Sequence, residues 1–366
     1  MTLSDDERDL IALHLVTGVG PRVTANLLER FGSASAVLRA TSRELREVPY
    51  LGEKVASALS AALANPDVAK EIDLLTKHGV HPSVLHRDGY PANLATIPYP
   101  PHLLFVRGDI VPSDEKAIAI VGSRACTSYG RRFAERIAGD LARAGWTIVS
   151  GLARGIDGCA HRGALNAKGR TLAVLAGGLS KIYPPEHTEL ADEVAASGAL
   201  ITESCMLMEP MAAMFPARNR IISGISRAVV VIEAELKSGA LITARHAGEQ
   251  GREVFALPGP VDSAASAGTL HLLRQGAKLV RSADDILEDL NSLPALVEHA
   301  EVSAPTMPSG LDETQQRIWE AMSERRLVDH LTAELELPIT EMSRHLMTLE
   351  LKKVVRRLPG NWYERY

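Results

Sequence analysis

Between residues 117 and 280 two hydrophobic patterns take turns along the chain. Short, mostly apolar runs stand at Ala117–Val121, Thr147–Ser150, Thr171–Leu175, Ala199–Thr202, Ala228–Glu233, Glu253–Leu257 and Lys278–Val280. They predict strands buried on both faces, since a half-exposed strand would alternate apolar and polar positions. Stretches with a helical apolar period separate them, as at Arg131–Ala144, Asp157–Ala167 and Ala240–Gln250. Strand–helix alternation of this length predicts an α/β fold, a Rossmann-like, doubly wound, mostly parallel sheet over residues 117–291. Ligands of such sheets bind beyond the carboxyl ends of the strands.

The flanks have a different texture. Residues 1–65 read as short helices. Leu10 to Val16 precedes Gly18-Val19-Gly20-Pro21, and a helical period follows through Val23, Leu27, Leu28 and Phe31. A weaker copy runs Val48-Pro49-Tyr50-Leu51-Gly52 into Val55, Leu59 and Leu63. This resembles paired helix-hairpin-helix (SAM-like) units, whose hairpins can offer backbone N–H groups to a phosphate. The second copy lacks the paired glycines and neither has a basic cluster, so a module that packs is the favoured reading. Residues 66–116, proline-rich from Pro82 to Pro112, read as a joining region, and polar, proline-bearing 292–310 as a linker. Over 311–366, three helical patterns and a hairpin around Pro359-Gly360-Asn361 make a winged-helix pattern. Its basic run, Lys352-Lys353-Val354-Val355-Arg356-Arg357, suits duplex phosphates. The mix Glu341, Arg344, His345 and Glu350 on the third helix suits a major groove poorly, which favours an auxiliary or protein-interaction role as strongly.

The candidate chemistry lies in the turns. Val121-Gly122-Ser123-Arg124 and Ser150-Gly151-Leu152-Ala153-Arg154-Gly155-Ile156-Asp157 each follow a strand and open a helix. Such turns aim unpaired N–H groups above the sheet. Glycine alone is ordinary there. Arg124, Arg154, Arg218 and Arg220, all at strand ends or helix starts, are not, because arginine opposes a helix N-terminus unless an anion is shared. Lys181, Phe215, Asn219 and the Ser238-Gly239 helix start complete a polyanion cradle with an aromatic platform. Asp157 is expected to cap a helix or orient Arg154. Glu203 and Glu233 are expected to buttress the arginines.

Composition narrows the reading. The chain has 366 residues, enough for two or three domains, and 46% hydrophobic residues, enough for a sizeable core. A net charge of −5 means that any nucleic-acid surface is local. The three cysteines, Cys126, Cys159 and Cys205, lack metal-ligand spacing and suit a reducing cytoplasm. The polar start is unlike a signal peptide, and no apolar run nears the ~20 residues that span a bilayer. A cytoplasmic protein without membrane contact is therefore expected.

The ordered motifs from about Tyr90 to Leu290 resemble the DNA-processing protein A family (DprA, also called Smf). They include Ile120-Val121-Gly122-Ser123-Arg124, the Ser150–Asp157 turn, Tyr183-Pro184-Pro185-Glu186-His187 and Phe215-Pro216 with Arg218-Asn219-Arg220-Ile221-Ile222. Ser238-Gly239-Ala240-Leu241-Ile242-Thr243-Ala244, Ala256-Leu257-Pro258-Gly259 and Gln275-Gly276-Ala277 continue the set. The resemblance implies a non-enzymatic protein that binds single-stranded DNA, protects incoming strands in natural transformation and loads RecA recombinase. It also implies a homodimer, and single-strand-binding protein as a further partner. The C-terminal pattern resembles the winged helix of many members. Two departures mark the groove rim: Cys205-Met206-Leu207-Met208-Glu209-Pro210 replaces a glycine- and proline-rich loop, and Ala176-Gly177-Gly178 with Ser180 replaces a Gly-Thr-Gly with aspartate.

Enzymatic readings fit less well. A dinucleotide site needs Gly-x-Gly-x-x-Gly after the first strand, and only Gly122 is there. The Walker pattern is absent. His161, His187, His246 and His271 have neither zinc-ligand spacing nor a Gly-x-Ser-x-Gly elbow to serve. The remaining alternative is a nucleotide-binding or phosphoribohydrolase-like enzyme on a similar sheet. Its Pro-Gly-Gly-x-Gly-Thr-x-x-Glu signature is met only by Pro258-Gly259-Pro260 and a distant Gly268-Thr269. No catalytic residue, cofactor or metal is expected.

Overall fold

The computed structural model describes residues 3–62, 65, 67–292, 311–322, 326–335, 337–352, 354–358 and 362–365. Leu63, all but the first residue of the expected linker and the expected hairpin tip lie outside the described residues. The chain forms two compact units, 1–292 and 293–366.

The first unit opens with five helices, α1 (Asp5–His14), α2 (Pro21–Phe31), α3 (Ala34–Arg39), α4 (Ser42–Arg46) and α5 (Glu53–Ala61). Ser4 and Thr41 close capping boxes with Glu7 and Glu44, which explains why short α1 and α4 start where they do. Next come α6 (Asp67–His78), β1 (Val80–Val84), α7 (Ala92–Ala95) and β2 (Leu103–Gly108). The stretch expected to join thus contributes two strands. The alternating part follows: β3 (Ala117–Val121), α8 (Ser128–Arg143), β4 (Thr147–Ser150), α9 (Ile156–Asn166), β5 (Thr171–Leu175), α10 (Thr188–Ser197) and β6 (Ala199–Thr202). It continues through α11 (Met214–Ile225), β7 (Ala228–Val231), α12 (Gly239–Glu249), β8 (Glu253–Ala256), α13 (Ala267–Arg274), β9 (Lys278–Leu279) and α14 (Ala283–Ser292).

These strands form one sheet in the order β1-β2-β6-β5-β4-β3-β7-β8-β9. β3 to β9 run parallel to their neighbours, and β1 and β2 add an antiparallel edge. The order reverses between β3 and β7, where Val121 pairs Val231 at the carboxyl ends. Alternation along β3 divides the core. Ala117, Ala119 and Val121 pack with Ile221, Ile222 and Ile225 of α11 and Ala244 of α12. Ile118 and Ile120 pack with Ala134, Ile137 and Leu141 of α8. Each fully buried Ile or Phe contributes ~1.5–3 kcal/mol, so both faces are firmly covered. The N-terminal helices share a third cluster with Val80, Leu103 and Phe105 of the antiparallel edge.

The second unit holds α15 (Glu313–Ala321), β10 (Arg326–Leu327), α16 (Val328–Leu335), α17 (Ile339–Leu351), β11 (Val355–Leu358) and β12 (Trp362–Arg365). β12 lies between β10 and β11. Ile318, Leu331, Met342, Leu346, Leu349 and Val355 fill its core, as a winged helix requires. Among the described residues no helix is long and apolar enough to cross a membrane.

Candidate functional site

The turns after β3, β4, β5 and β7 and the start of α11 meet above the point of strand reversal, the place where open α/β sheets bind ligands. Gly122 follows β3, and a Cβ there would come within 2.7 Å of Ile156 and 2.9 Å of the Glu233 carbonyl. The Ser123 amide donates to that carbonyl at 2.7 Å, tying the first turn to the end of β7. Glu233 spends its carboxylate on Thr127, the N-cap of α8, accepting from its amide at 2.8 Å and its hydroxyl at 2.6 Å. It therefore anchors a helix and does not buttress an arginine, contrary to expectation.

The second turn is held from both sides. Leu152 is buried at φ 57°, and its carbonyl accepts from His187 Nδ1 at 2.9 Å. Gly155 has φ 74°, and a Cβ there would lie 2.3 Å from the Ser123 carbonyl, so only glycine fits. Asp157 is buried and accepts from the amides of Gly151 (3.2 Å) and Ala153 (3.4 Å). It does not orient Arg154, which pairs with Glu186.

Arg218 explains the burial of Asp157. It is 6% exposed and donates to the carbonyls of Gly151, at 2.7 Å, and Val174. Its Nε donates to Asn219 Oδ1 at 3.2 Å, and Asn219 Nδ2 reaches the Gly239 carbonyl at 3.2 Å. Burial pushes the Asp157 carboxyl up, an effect that Arg218 partly offsets. Burial likewise brings the Arg218 guanidinium down to about 10. Arg218, expected as a groove-lining grip, is thus the cation that fastens the carboxyl ends of β4 and β5 together.

Above it lies a cleft of about 580 Å³, lined by Gly122, Ser123, Arg124, Phe215, Arg218, Asn219, Lys237, Ser238 and Gly239. A narrower pit adjoins it, with Gly151, Arg154, Gly177, Lys181, Tyr183 and Pro210 in its walls, and shares Arg124, Phe215 and Arg218 with the cleft. All the expected residues reach these two concavities except Gly155, which lies beneath, and Arg220, which turns away to Glu203 at 2.5 Å and the Tyr99 carbonyl at 3.3 Å. Glu203 thus does buttress an arginine.

The cations differ in availability. Arg154 is paired with Glu186, whose carboxyl is held below its usual range by that hydrogen bond. Lys181 lies 3.1 Å from Glu209, both exposed, a pair of small worth. Arg124 is exposed and, among the described residues, has no carboxylate within ion-pair distance. It stacks over Phe215, 4.8 Å from the ring centroid, and Tyr183 meets the same ring edge-on at 6.3 Å. Lys237, exposed on the turn before α12, is missed by sequence reading. Its adjacency to Ser238-Gly239 is the available signal. Two carboxylates, Asp157 and Glu235, also line the cleft.

Comparison with known proteins follows the same division. Family profiles match a SAM-like helix-hairpin-helix tandem over residues 8–65, DNA recombination-mediator protein A over 82–291 and the DprA winged helix domain over 302–361. The chain is 34% identical to Protein Smf of Synechocystis sp., covering 97% of this chain and 98% of that one. It is 42% identical to DNA processing protein DprA of Bacillus subtilis, over 63% of this chain and 80% of that one. It resembles the solved DNA processing protein A of Streptococcus pneumoniae with a TM-score of 0.69 and 32% identity, over 79% of this chain and 99% of that one. It also resembles DNA processing protein A of Helicobacter pylori, with a TM-score of 0.52 and 30% identity over 58% of this chain and 96% of that one. That structure was described for its single-stranded-DNA binding mode.

Proposed function

Because the chain belongs to the DNA recombination-mediator protein A family, we propose that it binds single-stranded DNA in the cleft above the sheet and acts in DNA processing as a recombination mediator. The observation that carries this reading is the pairing of an unsatisfied cation with an aromatic face at the strand-reversal point: Arg124 over Phe215, with Lys237 across the cleft. Phosphates take the cations and the first-turn amides of α12, and an unstacked base takes the ring. In the finer reading the protein protects incoming strands in natural transformation, passes them from single-strand-binding protein to RecA recombinase, and works as a cytoplasmic homodimer. Residues 117–291 carry the DNA grip, 1–65 and 311–366 are appended modules, 66–116 join the first module to the grip, and 292–310 link the grip to 311–366.

Hydrolytic chemistry is disfavoured by the state of the carboxylates. Glu233 is committed to Thr127, Glu203 to Arg220, and Asp157, at the cleft wall, to the Gly151 and Ala153 amides. That leaves Glu235, among the described residues, as the cleft carboxylate without such a commitment and therefore the one a hydrolytic reading would need as general base. The test compares binding of labelled oligothymidylate, its duplex and nucleoside monophosphates, together with RecA-dependent ATP hydrolysis on strands coated with single-strand-binding protein. Tight binding of the single strand, no release of base and faster ATP hydrolysis are expected. Steady base release that is lost in Glu235→Gln would move the protein to the phosphoribohydrolase reading.

A further inference from the structure

Three exposed side chains from distant parts of the chain meet outside the cleft. Arg22 on α2 stacks over Tyr50, 4.2 Å from its centroid, and stands 5.5 Å from the centroid of Tyr99. Its Nη2 also donates to the Tyr50 hydroxyl at 2.9 Å. Tyr50 precedes α5 and is 70% exposed; Tyr99 follows α7 and is 49% exposed. Both hold left-handed backbone, at φ 67° and 52°, which is costly for a bulky residue. Two tyrosines kept in that conformation on separate turns, with their rings largely in water, are not explained by packing.

We propose that Tyr50, Tyr99 and Arg22 form a second single-strand platform, on which bases stack against the tyrosine rings while Arg22 meets a phosphate. The proposal rests on the reading of the cleft as a single-strand site and extends the strand's path beyond it. Arg220 makes the connection. It lies five residues past Phe215, ~7.5 Å along the axis of α11, and donates to the Tyr99 carbonyl. The loop that carries Pro210 in the pit wall also carries Met208 in a second cleft, bounded by Gly18, Gly20 and Pro21 at the foot of α2. The occupant's chemistry follows from the charges. Among the described residues Arg22 has no carboxylate within ion-pair distance, while nearby Glu53 is 3.8 Å from Arg46. An unpaired cation between two aromatic faces suits a stacked base with its phosphate.

The test uses the full chain and two probes, an oligothymidylate of about 10 nucleotides, which fills one site, and one several times longer. Photo-crosslinking with 4-thiothymidine in the longer probe is expected to label Tyr50 or Tyr99. The pair Tyr50→Asn and Tyr99→Asn removes the rings but tolerates left-handed backbone. It is expected to bind the short probe normally and the long one about tenfold more weakly. The pair Tyr50→Phe and Tyr99→Phe is expected to keep wild-type affinity for both. No crosslink at either tyrosine, together with unchanged long-probe affinity in a folded Asn pair, would overturn the platform, as would a Phe pair as weak as the Asn pair. If the Asn pair does not fold, the crosslink in the native chain decides. Arg124→Ala separates the two readings, since its lack of effect on the short probe would remove the cleft while crosslinks at the tyrosines would stand.

Discussion

Arg124 and Arg218 lie 4.8 and 5.8 Å from the centroid of the same ring, yet they have opposite duties. Arg124 is exposed and unpaired, while Arg218 is enclosed by the Gly151 and Val174 carbonyls with Asp157 as its countercharge. Removing a buried donor of this kind leaves each carbonyl it served unsatisfied, at about 1–3 kcal/mol apiece, whereas truncating an exposed arginine usually stays within about 0.5 kcal/mol. Thermal or urea unfolding should therefore show Arg218→Ala markedly destabilised and Arg124→Ala unchanged. Equal stability of the two would refute the structural role of Arg218. The sequence places both arginines at the carboxyl end of the sheet. Their difference in depth is not legible in it, because that depends on Arg218 reaching the Gly151 and Val174 carbonyls, 67 and 44 residues away.

At the level of elements, the glycine turns read directly. Gly122 and Gly155 each stand where a side chain would strike another turn, and Gly151 where it would strike the Arg218 guanidinium. Gly239 is different, for a Cβ there meets nothing within 4 Å. Gly155→Ala should lower the melting temperature and abolish DNA binding. Gly239→Ala should leave the fold intact and weaken binding only if the strand approaches the α12 amides closely. Circular dichroism melts beside binding isotherms check both, and a stable Gly155→Ala would contradict the packing of the second turn against the first. The parallel strands are legible because burial on both faces leaves uninterrupted apolar runs. β1 and β2 are not. Pro82 sits within β1, and the pairing of β1 with β2 is antiparallel across an intervening helix and prolines. Proline is tolerated on that edge strand but hides it from a pattern search.

For the whole molecule, acid should loosen the first unit. His161 is buried on α9, its Nδ1 2.7 Å from the Thr171 hydroxyl, which itself donates to the Ile148 carbonyl at 2.9 Å. Nδ1 therefore carries the proton, and Nε2 is buried without a partner. Burial holds this imidazole down to about 3, and His14 and His102 are lowered for the same reason. A histidine depressed in the folded state contributes stability that is complete above its unfolded value near 6.5. That stability is lost as pH falls toward the folded value, by ~1.4 kcal/mol per unit for each group. Glu71 and Asp157, both raised by burial, act in the opposite sense at lower pH. Between pH 7 and pH 5 the wild type should lose stability more steeply than His161→Gln, as measured by urea midpoints. Parallel losses would show that His161 is not a source of the acid sensitivity.

The central claim is that exposed cations at the strand-reversal point hold the phosphates of a single strand. The measurement is the affinity of the full chain for labelled oligothymidylate across a series of salt concentrations, for the wild type and for Arg124→Ala with Lys237→Ala. Each phosphate contact contributes about −0.7 to the slope of log affinity against log salt. The double variant, with an unchanged melting temperature, should bind more weakly and show a slope shallower by about 1.4. A folded double variant with wild-type affinity and wild-type slope would contradict the account and place the DNA elsewhere on the molecule.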